Sequence, residues 1–133
     1  MKLSPILILV TALLATGCHQ RKPGIVNRED RIPEIFPDYA GVTVPYIIAP
    51  LNFRVNDKGE RLLVNIIAKD YSKEFGFKAK KVSFPPGEWE QLLSTHAGKD
   101  LEITLSTVKG DTLNVYNAFT IHISAEKADD YLV

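Results

Sequence analysis

The stretch from Leu101 to Ser124 constrains the fold most strongly. Leu101, Ile103 and Leu105 alternate with Glu102, Thr104 and Ser106. After Lys109, Gly110 and Asp111 the alternation resumes, with Leu113, Val115, Phe119, Ile121 and Ile123 set against Asn114, Tyr116, Thr120, His122 and Ser124. A period of two sends successive side chains to opposite faces of a strand, so each arm buries one face and wets the other. The Lys-Gly-Asp turn between the arms predicts a β-hairpin, with its register set by which face is buried.

The same reasoning organises the rest of the chain. Asn52 to Val55 reads as a short strand, and Asn56 to Gly59 supplies turn residues that accept positive φ or bond their own backbone. Leu62, Val64, Ile66 and Ala68 share one parity while Leu63 and Ile67 share the other, which predicts a central strand covered on both faces. Phe75 and Phe77 have the opposite parity to Val82 and Phe84, so a bulge or turn is predicted within Lys78 to Lys81. Pro37, Pro45 and Pro50 punctuate short apolar pieces and make Val42 to Ile48 edge-like. Pro85, Pro86 and Gly87 end a strand, after which Trp89, Leu92, Leu93 and His96 fall at helical spacing. This predicts one helix of about ten residues that stops before Gly98, with Glu88 and Glu90 near its positive end. Half-buried strands, turn signals and a single helix together predict an all-β fold, an antiparallel immunoglobulin-like β-sandwich. Leu63, Val64, Ile66, Ile103, Leu105, Phe119 and Ile121 are the expected core, and Trp89 is expected to pack the helix on the sheet.

The first eighteen residues carry an address. Lys2 is their only charge, Ile6 to Leu14 are mostly apolar, and Leu-Leu-Ala-Thr-Gly precedes Cys18, the sole cysteine. The run is too short to span a bilayer core of about 30 Å as a helix, so it reads as an export signal. It resembles the bacterial lipobox, with Ala15 where Leu is commoner; that resemblance implies cleavage before Cys18 and lipidation of its thiol. His19 to Pro23 bring no Asp directly after the cysteine and no acidic cluster, which resembles sorting to an outer membrane, facing the periplasm. Residues 18–34 read as an extended tether, and a domain at 35–133 follows the signal peptide at 1–17.

Loss of residues 1–17 leaves 116 residues with 15 basic and 16 acidic side chains, a formal charge near −1. That near-balance predicts no long-range field for nucleic acid or an anionic membrane. With Cys18 consumed, no thiol remains for a disulfide, a thiolate metal site or a nucleophile, and haem attachment by Cys-x-x-Cys-His is excluded.

The candidate chemistry is thin. His19, His96 and His122 lack zinc-site spacing, and a lone histidine is more often solvated or an end-cap than a ligand. Asp129 and Asp130 are adjacent and so point apart on an extended chain, while Glu88 and Glu90 fail to share a helix face. Ser94 to His96 matches no nucleophile arrangement. Lys78, Lys80 and Lys81 near Phe75 and Phe77 interleave charge and aromatics, a pattern that more often protects a strand edge than binds nucleic acid. Trp89 with Tyr39, Tyr46, Tyr71, Tyr116 and Tyr131 offers an alternative, a sugar-stacking platform.

From Phe36 onward the residues resemble a known family. Phe-Pro-Asp-Tyr-Ala-Gly-Val-Thr-Val-Pro-Tyr-Ile-Ile-Ala-Pro-Leu-Asn-Phe at residues 36–53, and Val-Ser-Phe-Pro-Pro-Gly-Glu-Trp-Glu-Gln-Leu-Leu at 82–93, are similar to the N-terminal β-sandwich of Bacteroidetes envelope lipoproteins that carry a TolB-like β-propeller. Ala128 to Val133 resembles the exit into that propeller, which is absent here, as in a chain truncated at a domain boundary. The resemblance implies a non-catalytic interaction or accessory domain, with a protein partner or a fused propeller, no enzyme activity and no cofactor. A carbohydrate-binding domain is the alternative, and a hydrolase would need His96 or His122 clustered with carboxylates.

Overall fold

The computed structural model describes residues 22–126. Its elements in chain order are β1 (Ile25–Arg28), β2 (Ile35–Phe36), β3 (Thr43–Pro45), β4 (Asn52–Val55), β5 (Arg61–Ala68), β6 (Tyr71–Phe77), β7 (Lys81–Ser83), α1 (Pro86–Thr95), β8 (Asp100–Lys109), β9 (Thr112–Val115) and β10 (Phe119–Ser124). They form an all-β sandwich of a seven-stranded and a three-stranded sheet with one short helix. β5 and β8 pair along their length at the centre of the larger sheet, flanked by β6 on one side and by β9 and β10 on the other. The smaller sheet runs β2-β4-β7.

Most pairings are antiparallel, as alternation with short turns predicts. The exceptions are two edge pairings, β1 with β9 and β3 with β10, which are parallel. β1 lies inside residues 18–34, the segment read as tether. Ile25 and Val26 are β-branched, and Val26 lies directly opposite Leu113, so this short piece extends beside β9 and pairs with it. Proline-bounded β3 is an edge strand, as Pro45 and Pro50 require.

The parity conflict at Phe75–Phe84 has a simple origin. β6 belongs to the larger sheet and β7 to the smaller one, and residues 78–80 carry the chain between layers. The core lies between the layers, where Leu62, Val64, Ile66, Leu101, Ile103, Leu105, Phe119 and Ile121 of one sheet meet Phe53, Val55 and Val82 of the other. Leu63 is only half-buried and Ile67 is 40% exposed, so β5 is central in the sheet but covered on one face only. The second cover that the parity of Leu63 and Ile67 predicts is not formed, because no layer among the described residues lies over that face.

The hairpin of β8 with β9 and β10 contains one register slip. Ser106 faces Val115, whereas Ile103 faces Phe119, so residues 116–118 oppose only two residues of β8. One extra residue reverses which face the following side chains meet. Leu113 and Val115 therefore lie on the outer face with Val108 and Ser106, Tyr116 turns inward at 5% exposure, and Phe119, Ile121 and Ile123 return to the core. Uniform alternation across the whole returning arm, with Tyr116 on the polar side, does not hold.

Candidate functional site

The best-formed concavity lies between α1 and β6. Pro85 and Pro86 open the helix, and Trp89 N–H donates to the Pro85 carbonyl at 3.0 Å. Trp89, Leu92 and Leu93 form its buried face. Trp89 stacks on Phe84 with centroids 5.0 Å apart and rings 12° from parallel, and its Nε1–H donates to the Ile48 carbonyl at 3.2 Å. Both the apolar body and the polar tip of the indole are thus satisfied inside the protein.

On the outer side of the helix, Lys73 Nζ donates to Glu88 Oε2 at 2.5 Å and ties β6 to the first turn of α1. The hydrogen bond to Glu88 raises the Lys73 ammonium above its ordinary value, against an opposing effect of burial. Burial also raises the Tyr71 phenol, with Lys73 opposing and Glu88 reinforcing the shift. Beyond the ion pair the surface opens into a cleft of about 480 Å³, lined among others by Tyr71, Lys73, Glu88, Gln91, His96 and Lys99.

His96 closes the helix and walls the cleft. Its backbone N–H reaches the Leu92 and Leu93 carbonyls at 3.2 Å each, and its ring Nδ1 lies 2.8 Å from the Leu92 carbonyl oxygen. A carbonyl can only accept, so Nδ1 carries the hydrogen that it donates to Leu92. The ring is 6% exposed and meets Tyr71 edge-on at 6.0 Å. His96 is thus the end-cap that its spacing allows, though buried rather than on the surface. Glu88 is engaged by Lys73, and no carboxylate among the described residues pairs with His96.

His122 does acquire a carboxylate. It faces Asp100 across β10 and β8, and its Nδ1–H donates to Asp100 Oδ1 at 2.5 Å. Thr43 faces it from β3, so Asp100, His122 and Thr43 form a row across three strands. No hydrogen bond joins the imidazole to the threonine hydroxyl, and the His122 and Asp100 side chains are 48% and 62% exposed. Solvent on that scale screens the pair and denies it the water-excluded setting that nucleophilic catalysis uses. Among the described residues no group of three or more His, Cys, Asp or Glu could hold a metal ion.

The other sequence candidates are dispersed. Glu88 is on the ion pair, Glu90 is exposed on α1, and Ser94 donates to the Gln91 carbonyl at 3.2 Å. Lys78 and Lys80 lie in the β6–β7 connection and Lys81 starts β7, while Phe75 and Phe77 turn inward and pack edge-on against Phe84 at 5.4 and 6.1 Å. The basic residues and those two aromatics therefore share no surface. Of the proposed sugar platform, Trp89 and Tyr116 are buried and Tyr39, Tyr46 and Tyr71 are half-buried. Cys18, His19, Asp129, Asp130 and Tyr131 lie outside the described residues, as does the 128–133 exit motif.

Two features escaped the sequence. Asp57, read as a turn residue bonding its own backbone, instead accepts from Arg31 and, at 2.7 Å, from the Glu34 backbone N–H, fastening residues 31–34 to the β4–β5 turn. Phe36 is 70% exposed. Its position after buried Ile35 and before a proline was the only available signal. No family model and no curated protein matches the chain.

Proposed function

We propose that this chain is a non-catalytic envelope lipoprotein module, held at the outer membrane and facing the periplasm by lipid on Cys18. It serves as an interaction or accessory domain, normally ahead of a TolB-like propeller. The observation that supports an interaction role is the outer edge of β1, which pairs with no other strand among the described residues. Ile25 and Val26 are 53% and 54% exposed on the outermost strand of the larger sheet. Ile25 N–H donates to Asp111 O at 3.1 Å and Glu29 N–H to Val115 O at 2.8 Å, so strand alternation directs the Val26 and Arg28 N–H groups away from β9. An unpaired edge carrying β-branched apolar side chains is a template for strand addition by a partner. The carbohydrate-binding alternative is weaker, because Trp89 and Tyr116 have no free ring face to offer.

The test is photo-cross-linking in cells from a benzophenone side chain at position 25, combined with Val26→Pro. Proline there removes an outward N–H and no ladder bond, so the fold persists while strand addition is blocked. A discrete cross-link lost on Val26→Pro supports the reading; a cross-link of equal yield in the variant sinks it. In parallel, an alkyne fatty acid should label the wild type and leave Cys18→Ser unlabelled.

A further inference from the structure

Charge is segregated along the sandwich. Register places the start of β1, the Lys109–Asp111 turn, the start of β5 and the end of β6 at one end of the larger sheet, where Ile25 faces Thr112, Arg61 faces Val108 and Leu62 faces Phe77. The β4–β5 and β6–β7 connections lie at this same end, so Lys58, Arg61, Lys78, Lys80 and Lys109 gather there. Of the nearby acids, Asp57 is engaged by Arg31, and Asp111 Oδ1 accepts from Gly24 N–H at 2.8 Å, leaving Glu29, Glu34 and Glu60. The opposite end carries Asp70, Glu88, Glu90, Asp100 and Glu102 against Lys69, Lys73 and Lys99, an excess of acid. A formal charge near zero hides this separation.

The outer face of the smaller sheet continues the basic end. Phe36 faces Arg54 and Arg54 faces Lys81, so the three form one row on the side opposite buried Ile35, Phe53, Val55 and Val82. No carboxylate of the described residues lies at salt-bridge distance from Arg54, Lys80 or Lys81. Arg54 and Lys81 line two adjoining shallow grooves of about 450 and 200 Å³; Lys80 lines the first and Phe36 the second. Cations beside an exposed aromatic ring match the phosphate layer and the acyl boundary of a bilayer surface.

We propose that this face, formed by Phe36, Arg54, Lys80 and Lys81, docks on an anionic phospholipid bilayer. Charge complementarity argues for that occupant, and so does the entry of the chain. Gly24 is fastened to Asp111 at the basic end, and the six peptide links between Cys18 and Gly24 reach about 20 Å at full extension. An acylated Cys18 keeps this end within that distance of the lipid, and in this one respect the proposal rests on the lipoprotein reading. The surface then supplies the second signal that firm membrane attachment uses beside acyl chains.

The test uses the chain from residue 18 onward with Cys18→Ser, which contains every described element and bears no lipid, so failure of lipidation and failure of docking are separable. Co-sedimentation should show binding to phosphatidylglycerol–phosphatidylcholine vesicles and none to phosphatidylcholine alone, and binding should weaken as salt rises. Lys81→Gln should weaken it roughly fivefold, and Arg54→Gln with Lys81→Gln roughly 25-fold. Lys69→Gln, an equal loss of charge at the acidic end, should leave it unchanged, and Phe36→Ser should weaken it in every salt condition. Native Trp89 emission reports that each variant is folded. Binding indifferent to lipid charge or to salt in the wild type, displacement by inorganic phosphate, or equal effects of Lys69→Gln and Lys81→Gln would overturn the proposal.

Discussion

Thr107 is the one buried side chain among the described residues whose polar atom, Oγ1, has no hydrogen-bond partner. It is fully buried between core neighbours, and Gly59 approaches it so closely that a Cβ at position 59 would lie 2.7 Å from the Thr107 Cβ. A buried hydroxyl without a partner costs roughly 1–3 kcal/mol relative to solvation. Thr107→Val keeps the shape and removes the group, so it should raise stability by about 1 kcal/mol in urea unfolding; a loss of stability would show that the hydroxyl is bonded. Gly59 shows why residue-level detail escaped the sequence. Asn-Asp-Lys-Gly announces a turn through its residue types, but neither the contact of Gly59 with β8 nor the bond from Asp57 to Glu34 can be read from neighbours in the chain. Both partners lie more than twenty residues away.

At the scale of elements, α1 is tied to β6 through Phe84, which stacks on Trp89 and meets Phe75 and Phe77 edge-on, and by the Lys73–Glu88 pair at the rim. The raised Tyr71 and Lys73 values have the same sign for stability. In each case the folded state holds the proton more tightly than the unfolded chain. Their contribution is complete below the ordinary values of 10.0 and 10.5 and is lost as pH rises through the raised ones. Stability should therefore fall above about pH 10, and Tyr71→Phe should flatten that fall. The check is thermal unfolding across alkaline pH, with phenolate absorbance of the wild type minus the variant locating the Tyr71 titration. Titration of Tyr71 at or below the free phenol value would contradict the burial seen here. The helix was legible because its 3.6-residue spacing is local to Trp89, Leu92, Leu93 and His96. β1 was not, because two β-branched residues flanked by Pro23, Gly24 and charges give no sustained period, and the parallel partner that makes them a strand lies over eighty residues away.

For the molecule as a whole, stability resides in the layer between the sheets. Ile103 is fully buried at the crossing of β5, β8 and β10, so Ile103→Ala should cost about 2–5 kcal/mol in chemical denaturation. A loss below about 0.5 kcal/mol would mean that the phase of β8 is wrong. Sequence alternation located this layer correctly, since burial and period two are the same fact for a one-sided sheet. The partition into seven and three strands was not legible, because the change of layer at residues 78–80 and the slip at 116–118 are decided by packing. The slip also means that this corner holds one residue more than an unbroken ladder needs. Removal of Asn117 or Ala118 would leave two residues facing two, with Ser106 still opposite Val115 and Ile103 still opposite Phe119, so Phe119, Ile121 and Ile123 would stay in the core. Natural variation should therefore tolerate loss of a single codon at this corner far better than within β8 or β10, where the same change reverses every face beyond it.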